Sequence, residues 1–179
     1  MIRPQSLHSL NLQALVEGGT PLVERMPLQK MERLATECKG LQPESMVDLR
    51  ALAALRAGSN GQLDTWLQLQ SSTRVPLTCQ RCMSVVQMPL KVDRWYRFVA
   101  NEEIAMAEDD ASEEDLLVMT PQFDLLALLE DELLMALPLV PMHDECPVMP
   151  AFNAGRLEMP DDIPEKPHPF AALAQLKKK

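Results

Sequence analysis

A chain of 179 residues and 20.1 kDa, 46% of them hydrophobic, can bury one domain core and is too apolar for outright disorder. Its formal net charge of −9 argues against unspecific nucleic-acid binding through the overall field. A local basic surface stays open, because screening confines exposed charges to about 10 Å at ordinary salt. Aromatics at 4% leave the core to Leu, Val, Ala and Met, and 15 prolines against 6 glycines make for stiff connectors.

Residues 1–27, with three prolines and no clear period, read as an irregular lead-in. The opening MIRPQSLHSLNLQALVEGG lacks the apolar run of a signal peptide, so the cysteines are expected to stay reduced, without a disulfide framework. PLQKMERLATECKG (27–40) predicts a short helix: Pro27 opens it, Leu28, Met31, Leu34 and Ala35 share a face, and Gly40 closes it. Cys38, at its end, has no ligand partner nearby and reads as packing.

From Val47 the period becomes two. Val47, Leu49, Ala51, Ala53 and Leu55 alternate with polar residues, GSNG (58–61) is turn chemistry, and Leu63, Thr65, Leu67 and Leu69 resume the alternation. This is a hairpin. A third strand is expected over Val85–Val99, with Leu90, Val92, Tyr96 and Phe98 on one face and a bulge or sheet edge at Pro89. NEEIAMAEDDASEEDLL (101–117) carries eight acids and no base and reads as a solvated loop. FDLLALLEDELLMALP (123–138) predicts a Leu-rich helix capped by Asp124 and ended by Pro138, with Glu130, Asp131 and Glu132 facing water. LLMALPLVPM (133–142) is half a membrane span and is broken by Pro138 and Pro141, so no membrane partner is expected. After a proline-rich stretch, PFAALAQLKKK (169–179) predicts a last short helix with a basic end.

The fold class expected is α+β: an antiparallel meander with a zinc-knuckle-like turn, covered by a long Leu-rich helix, with irregular Pro-rich tails. The division expected is a lead-in with a short helix (1–44), an α+β core (45–150) and a tail (151–179).

Two of the four cysteines, Cys79 and Cys82, stand three apart in the connection between the second and third strands; His143 and Cys146 repeat that spacing after the long helix. Zinc takes four thiolate and imidazole ligands in a tetrahedron, and tight turns supply close pairs. Cys79, Cys82, His143 and Cys146 are therefore the candidate ligands of a structural zinc, closed to water by its four protein donors. One two-cysteine turn plus a distant His and Cys is a weaker signal than two such turns, and Asp144 and Glu145 compete as donors. A redox use of the pair fits poorly, since it does not open a helix in a βαβ unit.

No phosphate loop, nucleophile elbow or His-Glu-x-x-His appears, and no enzyme is expected. Residues 70–100 hold Arg74, Arg81, Lys91, Arg94 and Arg97 against Asp93 alone. Lys91, Trp95 and Arg97 share one strand face, a combination that can hold phosphates and stack a base; with Arg81 they are the candidate RNA contacts. Packing beneath other elements is the competing reading for the tryptophans. The acidic run beside them is a candidate intramolecular competitor.

CQRC after an alternating strand, DLLALLEDELLMALPLVPMH after an acidic stretch, and a closing KPHPFAALAQLK resemble, in that order, the bacterial YceD family of large-subunit ribosomal RNA accumulation proteins. The resemblance spans roughly residues 45–179. It implies a cytoplasmic, non-catalytic role in the synthesis, processing or stability of large-subunit (23S) ribosomal RNA, with that RNA or a pre-ribosomal particle as partner. It also implies a second cysteine-containing cluster after the long helix, here His143 and Cys146. The alternative is an adaptor that grips a ribosomal protein or an RNA-processing enzyme through its acidic segment.

Overall fold

The computed structural model describes residues 6–58, 61 and 63–147. The chain is mixed α+β, built on a five-stranded sheet in the order β1 (Leu22–Pro27), β2 (Met46–Ala57), β3 (Leu63–Thr78), β4 (Val85–Val99), β5 (Asp115–Val118). Among the described residues four short helices accompany it: α1 (Leu12–Gly18), α2 (Glu32–Glu37), α3 (Glu102–Glu108) and α4 (Leu125–Met135). The strands β1 to β4 are antiparallel neighbours, and β5 lies parallel to β4.

Register follows from the two-residue period. Val47 pairs with Thr73 and Thr73 with Leu90; Ala53 pairs with Leu67 and Leu67 with Tyr96. A one-residue slip would turn the whole apolar set outward, so the buried face pins the pairing. On this inner face Val47, Leu49, Ala51, Leu67, Leu69 and Tyr96 are essentially inaccessible. The period outlasts the core at the hairpin end, where Leu55 and Leu63 are exposed.

Among its described residues the lead-in is not irregular. It contains α1 and the edge strand β1, and Leu10, Leu12, Met26, Leu28, Met31 and Leu34 join the same core as the sheet. Six-residue strands and seven-residue helices are too short to show a period beside three prolines. The expected helix over 27–40 is a 3-10 turn followed by the six residues of α2. The acidic run is likewise structured. A parallel neighbour needs a crossover of a dozen or so residues, and α3 with a following 3-10 turn supplies it between β4 and β5.

α4 runs for 11 residues, shorter than the stretch read from sequence, and lies on the inner face with Leu125, Leu129 and Leu133 fully buried. Asp124 caps it as expected, accepting from the Ala127 amide at 2.8 Å. Glu130 and Glu132, expected to face water, are instead buried against other elements. Arg33 and the α2 amides hold Glu130, and Arg94 lies 3.4 Å from Glu132. The terminal helix expected over 169–179 and the tail from 151 lie outside the described residues.

Burial works against ionisation of Asp124, but the Ala127 and Leu126 amides and the His8 ring outweigh it and hold the carboxyl below the usual range. A depressed carboxylate contributes stability above its unfolded value, lost as pH falls through the lower folded one. Asp124→Ala is expected to cost about 1 kcal/mol near neutrality. The gap from wild type should close in urea titrations below about pH 3.

Candidate metal centre

The connection from β3 to β4 is a tight turn. The Met83 amide donates to Cys79 O at 2.9 Å and the Cys79 amide to Ser84 O at 2.8 Å. Met83 stands at φ 60°, a left-handed conformation unusual for any residue but glycine. This turn holds both thiols of Cys-Gln-Arg-Cys on one side. The segment leaving α4 runs back along it: the Gln80 amide donates to Pro141 O at 2.9 Å, which sets His143 and Cys146 beside the pair.

One ligand atom from each of Cys79, Cys82, His143 and Cys146 lies within 4.8 Å of every other. Cys79 Sγ is 3.9 Å from Cys146 Sγ, and Cys82 Sγ is 3.5 Å from His143 Nδ1. Zinc–sulfur bonds of about 2.3 Å and zinc–nitrogen bonds of about 2.0 Å in a tetrahedron require donor separations of this size. His143 Nε2 is 3.1 Å from Val85 O. A carbonyl only accepts, so Nε2 carries a proton, and this is the kind of outer-shell bond that orients a ligating imidazole. Asp144 and Glu145 are not part of the cluster.

Burial disfavours a thiolate at Cys79, yet amide hydrogens of Cys82, His143 and Arg81, with the His143 ring, bring its thiol down to about 5. The Ser84 hydroxyl, 3.0 Å away, lowers that of Cys82. Burial pushes Cys146 up to about 11. The donor set fits a soft or borderline divalent ion, which would ionise all three thiols. Cys38 stands apart, its thiol donating to Leu34 O at 3.3 Å.

The candidate RNA residues are dispersed. Arg81 is exposed on the cysteine turn, 4.0 Å from Met142 Sδ. Lys91 is exposed on the outer sheet face. Trp95 is half-buried on that face, with the Arg56 guanidinium 3.6 Å from its ring centroid.

Arg97 corrects the sequence reading, because it is 2% exposed. Its Nη1 lies 3.1 Å from Asp64 and 2.7 Å from Glu108, and its Nη2 donates to Ser112 at 2.8 Å. The acidic crossover thus consumes Arg97. Gly58 is part of that arrangement, since a Cβ there would collide with the Asp64 carboxylate.

Sequence reasoning missed Arg56, Gln68, Gln70 and Asp93. Alternation places them outward, but only the register of three strands brings them to Trp95.

Residues 67–177 match the family described as large ribosomal RNA subunit accumulation protein YceD. A protein of that description from Haemophilus influenzae is 37% identical over 107 residues, covering 59% of this chain. The chain spans 61% of that relative's length. No solved structure matches.

Proposed function

Because the chain belongs to the YceD family, we propose that it is a non-enzymatic factor of ribosome biogenesis. It would support the synthesis, processing or stability of large-subunit (23S) ribosomal RNA in the cytoplasm. The observation that carries this reading is the family match over 67–177, which begins within β3 and takes in all four candidate metal ligands. No helix among the described residues is long and apolar enough to cross a membrane.

In this reading Cys79, Cys82, His143 and Cys146 hold a structural zinc that ties the segment leaving α4 to the β3–β4 turn. Four protein donors leave no open position for a reacting water. Arg81, Lys91 and Trp95 supply RNA contacts; Arg97 serves them only indirectly, by anchoring the acidic crossover.

Crosslinking the full chain to RNA in its bacterial host should recover large-subunit ribosomal RNA well above small-subunit RNA, and loss of the chain should lower the large-to-small ratio. Binding in vitro should weaken steeply with salt, and Lys91→Ala should flatten that slope by about one. Equal recovery of both RNAs, with an unchanged ratio, would refute the reading.

The adaptor reading draws on the acids of α3 and the following turn that remain exposed, among them Glu102, Glu103, Asp109 and Asp110. It requires co-purification with a basic protein and no RNA crosslink.

A further inference from the structure

Helices cover the inner sheet face, while the outer face of β1–β4, apart from the end where the acidic crossover buries Trp66 and Arg97, forms an open track. Two adjoining hollows of about 660 and 590 Å³ share Arg25, Asp48, Ser72 and Lys91. Cations dominate this track in a chain that is acidic as a whole. Register places Arg25, Arg50, Arg56, Arg74, Lys91 and Arg97 on the face against Asp48, Asp64 and Asp93, the buried Arg97 being paired with Asp64, and Glu24 and Glu44 stand at the rim. A polyanion is the complementary partner.

Part of the face is also preorganised. Arg50 donates to Gln70 Oε1 at 2.9 Å; Gln70 and Gln68 donate their amide nitrogens to the two oxygens of Asp93 at 2.9 and 3.0 Å. Those hydrogen bonds hold the Asp93 carboxyl below the usual range, so it is ionised at neutral pH. Trp95 lies two residues further along the same face, about 7 Å on, with Gln68 directly opposite it. The exposed Arg56 guanidinium covers the Trp95 ring. A guanidinium plane stacks a nucleobase as an aromatic ring does.

We propose that this face binds single-stranded RNA and reads a guanine: the base stacks on the Arg56–Trp95 pair, and its Watson–Crick edge donates to Asp93. The inference rests on the RNA reading above and adds the strand state, the base and the residues that read it. Guanine N1–H and N2–H₂ are two parallel donors, matched to the two oxygens of a carboxylate. Uracil sets a carbonyl on each side of its one N–H, and adenine and cytosine pair their amine with a ring acceptor; each would aim a lone pair at Asp93. A duplex keeps that edge occupied, so the partner is a single strand. The flanking Arg25, Arg50, Arg74 and Lys91 take the phosphates.

The test uses the full chain and labelled RNA hexamers followed by fluorescence anisotropy. A hexamer with one guanosine among uridines should bind at least about tenfold more tightly than hexauridine, the equivalent of about 1.4 kcal/mol. Its duplex should bind no better than hexauridine. Asp93→Asn should bring the two single strands within about twofold, because the guanosine then loses its paired acceptors. Arg56→Ala should weaken both by about tenfold, the loss of one stacking partner. Unchanged thermal midpoints would show that these exposed changes leave the fold alone.

Wild-type binding without guanosine preference, or variants that behave as wild type, would overturn the assignment while leaving the RNA role standing. Failure to bind any hexamer or large-subunit RNA would overturn both the assignment and direct RNA contact.

Discussion

Cys79→Ser is expected to take bound zinc from about one equivalent to almost none and to lower the unfolding midpoint by about 8–16 °C. Cys79 is fully buried and its sulfur faces Cys146 across the cluster. The segment leaving α4 has little else to hold it: Leu139, Val140 and Met142 are exposed, and its described ties to the turn are the Gln80–Pro141 and His143–Val85 hydrogen bonds and the Arg81–Met142 contact. An ion present at 1,000 times its dissociation constant contributes about 4 kcal/mol to the folded state. At roughly 2–4 °C per kcal/mol for a chain of this size, that gives the range stated. A strong chelator should produce the same fall in wild type and none in Cys79→Ser. Elemental analysis of protein purified without a metal-binding tag, beside thermal scans, reads both quantities. Wild-type protein with no zinc and no response to chelator would remove the metal centre from the proposal.

Glu130→Ala is expected to destabilise the fold by about 2–4 kcal/mol, through a helix that is not its own. Met31, at the head of α2, makes no side-chain capping bond. Glu130 of α4 does the work from across the core: one carboxylate oxygen accepts from the Arg33 and Leu34 amides at 2.7 and 3.1 Å, and the other from Arg33 Nε at 3.0 Å. The magnitude rests on the two amides, since an unpaired buried donor costs about 1–3 kcal/mol. The ion pair adds little, because the Arg33 side chain is 54% exposed and finds water. Glu130→Gln keeps an acceptor for the amides and should cost less than half as much. Asp131→Ala, at an exposed neighbour, should stay within about 0.5 kcal/mol. Urea midpoints of the three variants rank them, and equal losses for Ala and Gln at position 130 would discard the capping role.

Much of the sheet was legible because alternation is a property of consecutive residues. Val47–Leu55, Leu63–Leu69 and Leu90–Phe98 each declare a buried face, and GSNG declares the turn between the first two. The two close pairs of the candidate metal cluster were legible for the same reason, since a three-residue spacing sets two ligand atoms near each other. β1, α1 and β5 were not legible. They are four to seven residues long and owe their form to the neighbours they pair with.

By itself, then, the sequence determined the strand faces, the cap at Asp124 and two close pairs of candidate metal donors, with Asp144 and Glu145 left as competitors. These follow from spacing and residue type along a continuous piece of chain. Tertiary structure decided that the two pairs meet across the α4 exit, and that Glu130 and Glu132 are buried while an acidic crossover claims Arg97. It also decided that Arg56, Asp93 and Trp95 share one outer surface. Each of these depends on which carboxylate, guanidinium or ring arrives from a distant segment, and charge spacing along the chain carries no record of that.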